Sequence, residues 1–465
     1  MGRRIAVLLI TASLLACGPG TAAGPFKTLN IGAVIDRTGT NAEPSWGDSI
    51  RLAERNANAG FKKANPTSEM RFKILLADSA NEPSISVSRS LDLVQNQGAK
   101  ALILDTSQAD VAVNKTAYDA DPANDLNVPT QCGGCTSGTI NNKAAIDVDP
   151  VTQAALRNTK GWNFRSIMST KLISQILVRL MLQNNGGDVN GDGKFKITYV
   201  GSDETFGRGA IKDLKTFAAQ LHPTPAPIIE ELYHPRDADP NSFDWGDLAR
   251  QTSDNQTNGT PDGAPDYVVI ANFAQQQAAF VRAYKQGGYP APMLHYHTFR
   301  ISAALQSLGS IGDGEMGVSH VLLDGAGGDT FLQEYEAYYG IPAVYRDAIY
   351  YDAALTLLLA TVIASEGLPD RTLVTGDKVR DAMKKLSDPT GEPVGTGSDE
   401  FARAVGLIAA GKAINYQGAS GPMDYDANGN VVGRLAQYKA NNGEFVDVAR
   451  FDCVKDPLCP LMPQQ

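Results

Sequence analysis

Three groups of residues in this chain have the types and spacing for chemistry. Cys132-Gly-Gly-Cys135 has the spacing of a disulfide, a redox pair or half of a zinc site. Asp188-Val-Asn190-Gly-Asp192-Gly193 places oxygen ligands as in the first half of a calcium loop. The twelfth position of that loop is Tyr199 instead of Glu, so an EF-hand is not expected. A turn of charged side chains is the plainer reading, and a weak calcium site at Asp188, Asn190 and Asp192 the sharper one. Ser107 and His297 are the one nucleophile and base that could be paired for hydrolysis, and only their presence supports the pairing. No Gly-x-Ser-x-Gly, His-Glu-x-x-His or Gly-Lys-Ser/Thr phosphate loop occurs. The chain is not expected to be an enzyme, and no cofactor is expected.

The elements that must carry such residues begin with Asn30–Gly60. Ile31–Ile35 reads as an apolar strand and Asp36–Gly39 as a break into a polar loop. Ile50, Leu52, Ala53 and Ala57 mark the buried face of a helix that stops at Asn58-Ala59-Gly60. A strand feeding a loop and a helix is half of a βαβ unit, whose ligands sit outside the carboxyl end of the strand. The loop Asp36–Asp48 is therefore the first candidate for ligand contact, beside the plainer reading of an ordinary connection.

The pattern repeats as strand Met70–Leu76, helix Ser84–Gln97, strand Ala101–Leu104, helix Gln108–Tyr118 and a strand from Val128. This predicts a doubly wound α/β domain with a parallel sheet. After an extended link at Asn163–Ile167 the alternation restarts, with strands at Lys196–Val200, Ile228–Leu232, Tyr267–Ala271, Met293–Tyr296 and Gly317–Leu323. Phe331–Ala364 and Arg380–Leu386 read as helical, 388–398 as an exposed loop, and Met423–Phe451 as a β-meander turning at Asp426–Gly429. Two α/β domains of similar design follow. The late elements return to the first, and the chain ends on the second.

At 465 residues the chain exceeds one typical domain core. A net charge of −10 and no Lys/Arg run argue against a nucleic-acid partner. Arg3-Arg4, the apolar run Ile5–Ala16 and Leu14-Leu15-Ala16-Cys17 stand in the order of a lipoprotein signal, with Cys17 as the lipidated residue. A plain secretory signal cut near Ala22-Ala23 is the alternative, and either exports the chain. Export gives the other four cysteines a disulfide reading. Of three pairings the two local ones are favoured, Cys132–Cys135 and Cys453–Cys459. A redox role for the first pair, and convergence of both on zinc, stay open.

In this order the motifs resemble the type I periplasmic binding proteins, in particular the Leu/Ile/Val-binding family of ABC-transporter receptors. Ile31-Gly32-Ala33-Val34 with Thr38-Gly39, Trp46-Gly47-Asp48 and Asn56–Gly60 is similar to the family's first strand, loop and helix. Asn163-Phe164-Arg165 resembles its crossover between lobes, and Phe206-Gly207-Arg208-Gly209 its Tyr-Gly-x-Gly loop. Pro265–Val269, Tyr351-Asp352-Ala353, Gly418–Gly421 and Asp424–Gly429 resemble its later motifs. Extra length stands at 119–127, 138–160, 185–194, 251–264 and 387–415.

The resemblance implies two Rossmann-like lobes joined by a three-segment hinge, with crossings near 165–170, 323–328 and 421–424. A signal peptide 1–17, a tether 18–27, an N-terminal lobe of 28–166 with 326–421, a C-terminal lobe of 167–325 with 422–450, and a tail 451–465 are then expected. It implies an extracytoplasmic, membrane-anchored, monomeric receptor that binds a small amino-acid-like or carboxylate-bearing ligand by hinge closure and delivers it to permease subunits. A ligand sensor or scaffold without a dedicated permease is the alternative.

The residues implied at the site are Thr106, Ser107, Gly134, Cys135 and Thr136 around a carboxylate, Trp46 packed on the ligand, and Phe206 and Phe273 as walls of the second lobe. Thr106 and Ser107 would serve equally as helix N-caps, and Trp46 could be simple core. The family's ammonium-holding acid is missing after strand 293–296, where His295-Tyr296-His297-Thr298 stands. A cation taken from water needs a partner. His297 could instead face an anionic or neutral group, or be an ordinary edge or surface histidine.

Overall fold

The computed structural model describes residues 27–39, 41–145, 149–254, 263–321, 326–454 and 456–462. The expected signal segment with Cys17, and all of the tether except Lys27, lie outside them.

Alternation of apolar strands with amphipathic helices builds a first, all-parallel sheet. Its strands are β1 (Lys27–Ile35), β2 (Met70–Asp78), β3 (Leu102–Leu104), β4 (Thr130–Cys132) and β5 (Asn163–Arg165) in the order β2-β1-β3-β4-β5. Helices α1 (Pro44–Ala64), α2 (Pro83–Leu91), α3 (Ser107–Lys115) and α4 (Pro150–Leu156) connect them. The order reverses at β1/β3, where such sheets hold ligands. The link expected at Asn163–Ile167 starts as the sheet's last strand.

The second lobe repeats the plan. Helices α5 (Thr170–Leu182), α6 (Thr205–Leu221), α7 (Trp245–Asp254), α8 (Ala274–Gln286) and α9 (Ser302–Leu308) alternate with β6 (Lys196–Ser202), β7 (Ile228–His234), β8 (Tyr267–Ala271), β9 (Met293–His295) and β10 (Met316–His320). The chain then returns to the first lobe as α10 (Ala326–Tyr339), α11 (Tyr345–Ser365), α12 (Gly376–Met383), β11 (Glu392–Val394), α13 (Gly397–Ala409) and β12 (Ile414–Tyr416). It ends as the antiparallel hairpin β13 (Arg434–Asn441) and β14 (Glu444–Asp452) on the second sheet, of order β14-β13-β10-β9-β8-β6-β7.

Among the described residues α11 is the one helix long and apolar enough to cross a membrane, and the fold buries it. Leu355 and Leu358 pack with Ile50, Leu52 and Phe61 of α1 in the core of the first lobe. Asp352 fixes the end of that core. Its Oδ1 accepts from the Tyr416 hydroxyl (2.7 Å) and Ala419 N (3.0 Å), and its Oδ2 from Ser420 N (2.7 Å) and Ser420 Oγ (2.6 Å).

Four expectations are corrected. Helix α1 runs through Asn58-Ala59-Gly60 to Ala64. Gly60 is not a stop but a point of close approach, where a Cβ would stand 2.5 Å from the Ser398 carbonyl at α13. The segment 388–398 is not a free loop, since it contains β11 and enters α13, which covers α1. The meander is reduced to β13–β14, which turn at Asn442-Gly443 with φ of 52° and 79°, the left-handed region an Asn-Gly hairpin turn demands. The third crossing lies later than 421–424: Met423, Tyr425 and Val431 pack in the first lobe and Leu435 in the second. Of the second crossing, expected near 323–328, residues 323–325 lie outside the described residues.

The close approach at Gly60 yields a test. Gly60→Val must push α1 from α13 and lower stability by roughly 1–3 kcal/mol. The midpoint of urea unfolding should fall with its slope unchanged, and a midpoint equal to the parent's would show that the two helices separate freely.

Candidate functional site

The loop after β1 is shaped by its own carboxylates. Asp36 accepts from Gly39 N (2.6 Å) and Asn41 N (2.9 Å), and Asp78 from Arg37 N (2.9 Å) and the Thr38 hydroxyl (2.7 Å). Pro44 then opens α1 and sets Trp46 in its first turn. Trp46 is fully buried, stacked on Tyr350 at 4.7 Å between ring centres. The Arg346 guanidinium lies over its ring at 4.3 Å.

The expected carboxylate cradle is committed elsewhere. Thr106 Oγ1 accepts from Ala109 N (3.3 Å) and so caps α3. Ser107 Oγ accepts from Ser137 N (3.2 Å), and the Thr136 carbonyl from Thr170 N (2.6 Å). Cys132 and Cys135 stand at disulfide distance, and so do Cys453 and Cys459. The two pairs belong to the cores of different lobes, so they do not converge on one zinc. Between the first two cysteines, Gly133 and Gly134 let Tyr350 lie flat on the loop. A Cβ on Gly133 would stand 2.7 Å from the Tyr350 ring, and one on Gly134 1.7 Å from the Asp105 carbonyl. Thr106, Ser107, Gly134, Cys135 and Thr136 thus form a packed floor under Tyr350. The physical reason is that the Thr106 and Ser107 hydroxyls and the Cys135 and Thr136 carbonyls already have partners inside the protein.

Phe206, Phe273 and His297 are brought together on the second lobe, with Phe206 6.3 Å from Phe273 and 5.6 Å from His297 between ring centres. Glu204, missed in the sequence, places Phe206 by capping α6 through Phe206 N (2.8 Å) and Gly207 N (2.9 Å). His297 and His320 meet edge to face at 5.1 Å. Both are buried, not surface histidines. Burial, with each other and Arg346 as like-charged neighbours, pushes His297 well below its usual range, and burial above all takes His320 down to about 3. Both are neutral near pH 7. His295 is buried too and bonds Glu315 Oε2 (2.8 Å) and Gln277 Oε1 (2.9 Å). Ser107 and His297 sit in the cores of opposite lobes, with no hydrogen bond between them among the described residues.

The loop at Asp188–Asp192 has closed on itself. Asp188 accepts from Gly191 N (2.8 Å), Asp192 N (3.1 Å) and Gly193 N (3.0 Å), and Asp192 pairs with Lys196. Carboxylates used in this way make a charged turn, not a calcium cage.

The open space lies beside Trp46. A cleft of about 380 Å³ is walled by Trp46, Val344 and Arg346 of the first lobe and by Arg300, Ile301, Val321, Phe445 and Asp447 of the second. Asp447 is committed to Arg300 (2.7 Å) and Arg450 (3.1 Å). The lobes also meet at a latch, where Arg236 Nη2 lies 2.5 Å from Glu82 Oε1 and Nη1 donates to the Asn81 carbonyl. Of the nine residues expected at the site, Trp46 alone lines this cleft. Arg346 and the hairpin β13–β14 were missed. Arg346 is the lone cation in the apolar run of α11, and that oddity was the available signal.

A two-lobed α/β clamshell with a cleft lined from both sides is the architecture of a solute receptor. The chain belongs to the periplasmic binding protein family, whose model matches residues 28–443, and it has the type I fold of Leu/Ile/Val-binding proteins. This is a family of non-catalytic, extracytoplasmic solute-binding proteins. A leucine binding protein, LivK, from Thermotoga maritima is similar at 15% identity and a TM-score of 0.65, over 91% of this chain and 99% of that one. LivJ from Streptococcus pneumoniae in complex with isoleucine aligns at 15% identity and a TM-score of 0.62, over 90% and 100% of the chains. An ABC-transporter solute binding protein from Rhodopseudomonas palustris in complex with 3,4-dihydroxy benzoic acid aligns at 18% identity and a TM-score of 0.62, over 92% and 99%. No curated protein matches the sequence.

Two outcomes follow from this geometry. Burial pushes the Asp105 carboxyl up from 3.8 to about 7, against the hydroxyl of Ser79. The folded chain therefore holds this proton more tightly than the unfolded chain, and stability is lost as pH rises from about 4 to about 7. Asp105→Asn should match the parent near pH 4 and exceed it by roughly 2–4 kcal/mol near pH 8, read from urea unfolding at both values. Equal stabilities at the higher pH would show an ordinary carboxylate. At the latch, Arg236→Ala should let the lobes part, so that small-angle scattering gives a larger radius of gyration than the parent's. An unchanged radius would place the closing force elsewhere.

Proposed function

We propose that this chain is the receptor of an ABC importer, anchored through a lipid on Cys17, and that it captures a small carboxylate-bearing solute between its lobes. The observation that carries the reading is the cleft beside Trp46, whose walls come from both lobes. A solute there can bridge the lobes and favour the closed form, which is how differential affinity drives closure. The crossings near 166–169 and 432–433 would serve as hinges. The structural neighbours were solved with isoleucine, with 3,4-dihydroxy benzoic acid and with benzoate, all of which carry a carboxylate. Permease subunits in the membrane are the partners that follow, and the receptor acts as a monomer.

A thermal-shift screen of the purified protein tests this against amino acids, aromatic and aliphatic carboxylates, amides and polyols. A carboxylate present at a thousandfold excess over its dissociation constant should stabilise the fold by about 4 kcal/mol. Trp46→Phe, which keeps an apolar ring, should weaken that shift without abolishing folding. Absence of any hit, with no solute carried through purification, would favour a sensor or scaffold.

A further inference from the structure

We infer that Arg346 is the carboxylate anchor of this cleft, and that the solute is a monocarboxylate with an apolar body and no ammonium group. The inference rests on the reading of the cleft as the ligand site and goes on to name the residue and the class.

Arg346 is 2% exposed, and neither its Nε nor its Nη1 has a hydrogen-bond partner. Among the described residues no carboxylate pairs with it. Its neighbour Asp347 is turned to another task, with Oδ2 accepting from Val344 N at 2.8 Å. A guanidinium stays charged at any physiological pH, and a buried charge without a counter-ion carries a large desolvation penalty. Such a group persists where something outside the protein completes it. It borders the cleft, with its Cζ 4.3 Å from the centre of the Trp46 ring, so an anion in the cleft meets the one wall cation that, among the described residues, has no carboxylate beside it. Every other cation of the cleft wall differs: Arg300 and Arg450 share Asp447.

Among the described residues the same wall offers an ammonium no buried, unpaired carboxylate. Asp447 is taken, Glu444 is exposed on the hairpin, and Glu43 stands half-buried at the rim. His297 and His320 are neutral, and Arg346 itself repels a second cation. Ile301, Val321 and Phe445 supply apolar surface for the rest of the molecule, with Trp46 behind them.

Matched pairs of probes that differ only in the ammonium test both halves: 4-methylpentanoate against leucine, and 3-phenylpropanoate against phenylalanine. Benzoate and benzamide test the carboxylate alone. Calorimetric titration of the parent should show the acids binding at least tenfold more tightly than the amino acids, and no binding of benzamide. Arg346→Met should weaken the acids about 100-fold or more, while Arg346→Lys, which keeps charge but not the planar fork, should fall between. Because the uncompensated charge is removed, the ligand-free Arg346→Met protein should also melt higher than the parent. An arginine that only braces the fold would give a lower melting temperature. Tighter binding of leucine or phenylalanine than of their deamino partners would overturn the ligand class and leave the receptor reading intact. Acids that bind Arg346→Met or Arg346→Lys as well as the parent would overturn the anchor. A parent that binds no solute of any class would remove the receptor reading and this inference with it.

Discussion

The buried guanidinium of Arg165 is the interaction on which the two-lobed arrangement depends. It sits on the last strand of the first sheet, where the chain first crosses between lobes. Its Nη1 donates to the carbonyls of Cys135 (3.1 Å) and Ser137 (2.9 Å), its Nη2 to Ile140 (3.2 Å) and its Nε to Asn430 Oδ1 (2.7 Å). One side chain therefore holds the loop after β4 and the approach to the third crossing against the first. Its backbone N–H adds a bond to the Gly429 carbonyl at 3.0 Å. Burial draws its pKa down to about 10, against the pull of Asp110, Asp426 and Asp213, and it remains charged. A planar fork of donors suits this task, because three carbonyls can be satisfied at fixed angles without a rotamer change.

Arg346 is the contrasting case. Both arginines are buried, but one has its donors filled by the chain and the other does not. The difference follows from what surrounds each. Arg165 is ringed by loop carbonyls. Arg346 leaves the start of α11 over the Trp46 ring, near the neutral imidazoles of His297 and His320, and none of these carries a negative charge. Tyr350, one turn along the same helix, fills the place above β3 and β4 where the family resemblance put the carboxylate. Its hydroxyl reaches the Asp105 carbonyl at 3.4 Å. A single helix thus packs Tyr350 against the loop after β4 and sets Arg346 beside the cleft.

Closure is shared between weak and strong contacts. Thr170, at the first crossing, accepts from Gly138 N at 3.1 Å and donates to Asp213 at 2.7 Å. The Arg236–Glu82 pair joins the lobes on another edge and is partly open to water. An exposed pair contributes little to global stability, so it can break and re-form as the lobes move. Disulfides at Cys132–Cys135 and Cys453–Cys459 are local and lie within one lobe each, so neither obstructs that motion.

The sequence alone determined the plan of the fold. Short apolar runs, each followed by a helix, leave a parallel sheet as the economical solution, and two such series need two lobes. It also singled out Trp46 as a candidate for ligand contact and favoured the local cysteine pairs, because short spacings constrain geometry by themselves. It could not tell that Thr106 and Ser107 would serve as a cap and a loop bond, since a hydroxyl that binds a ligand and one that binds a backbone N–H look alike in one dimension. Nor could it find α13, whose Gly, Pro and Ser lead-in reads as loop until α1 supplies the surface that makes a helix worthwhile. Only the tertiary structure decided the site, because a charge is recognisable as uncompensated only when every group around it is known. Arg346 is an ordinary residue in the string of letters. It becomes the candidate anchor when three dimensions leave it buried, stacked on Trp46 and, among the described residues, without a counter-ion.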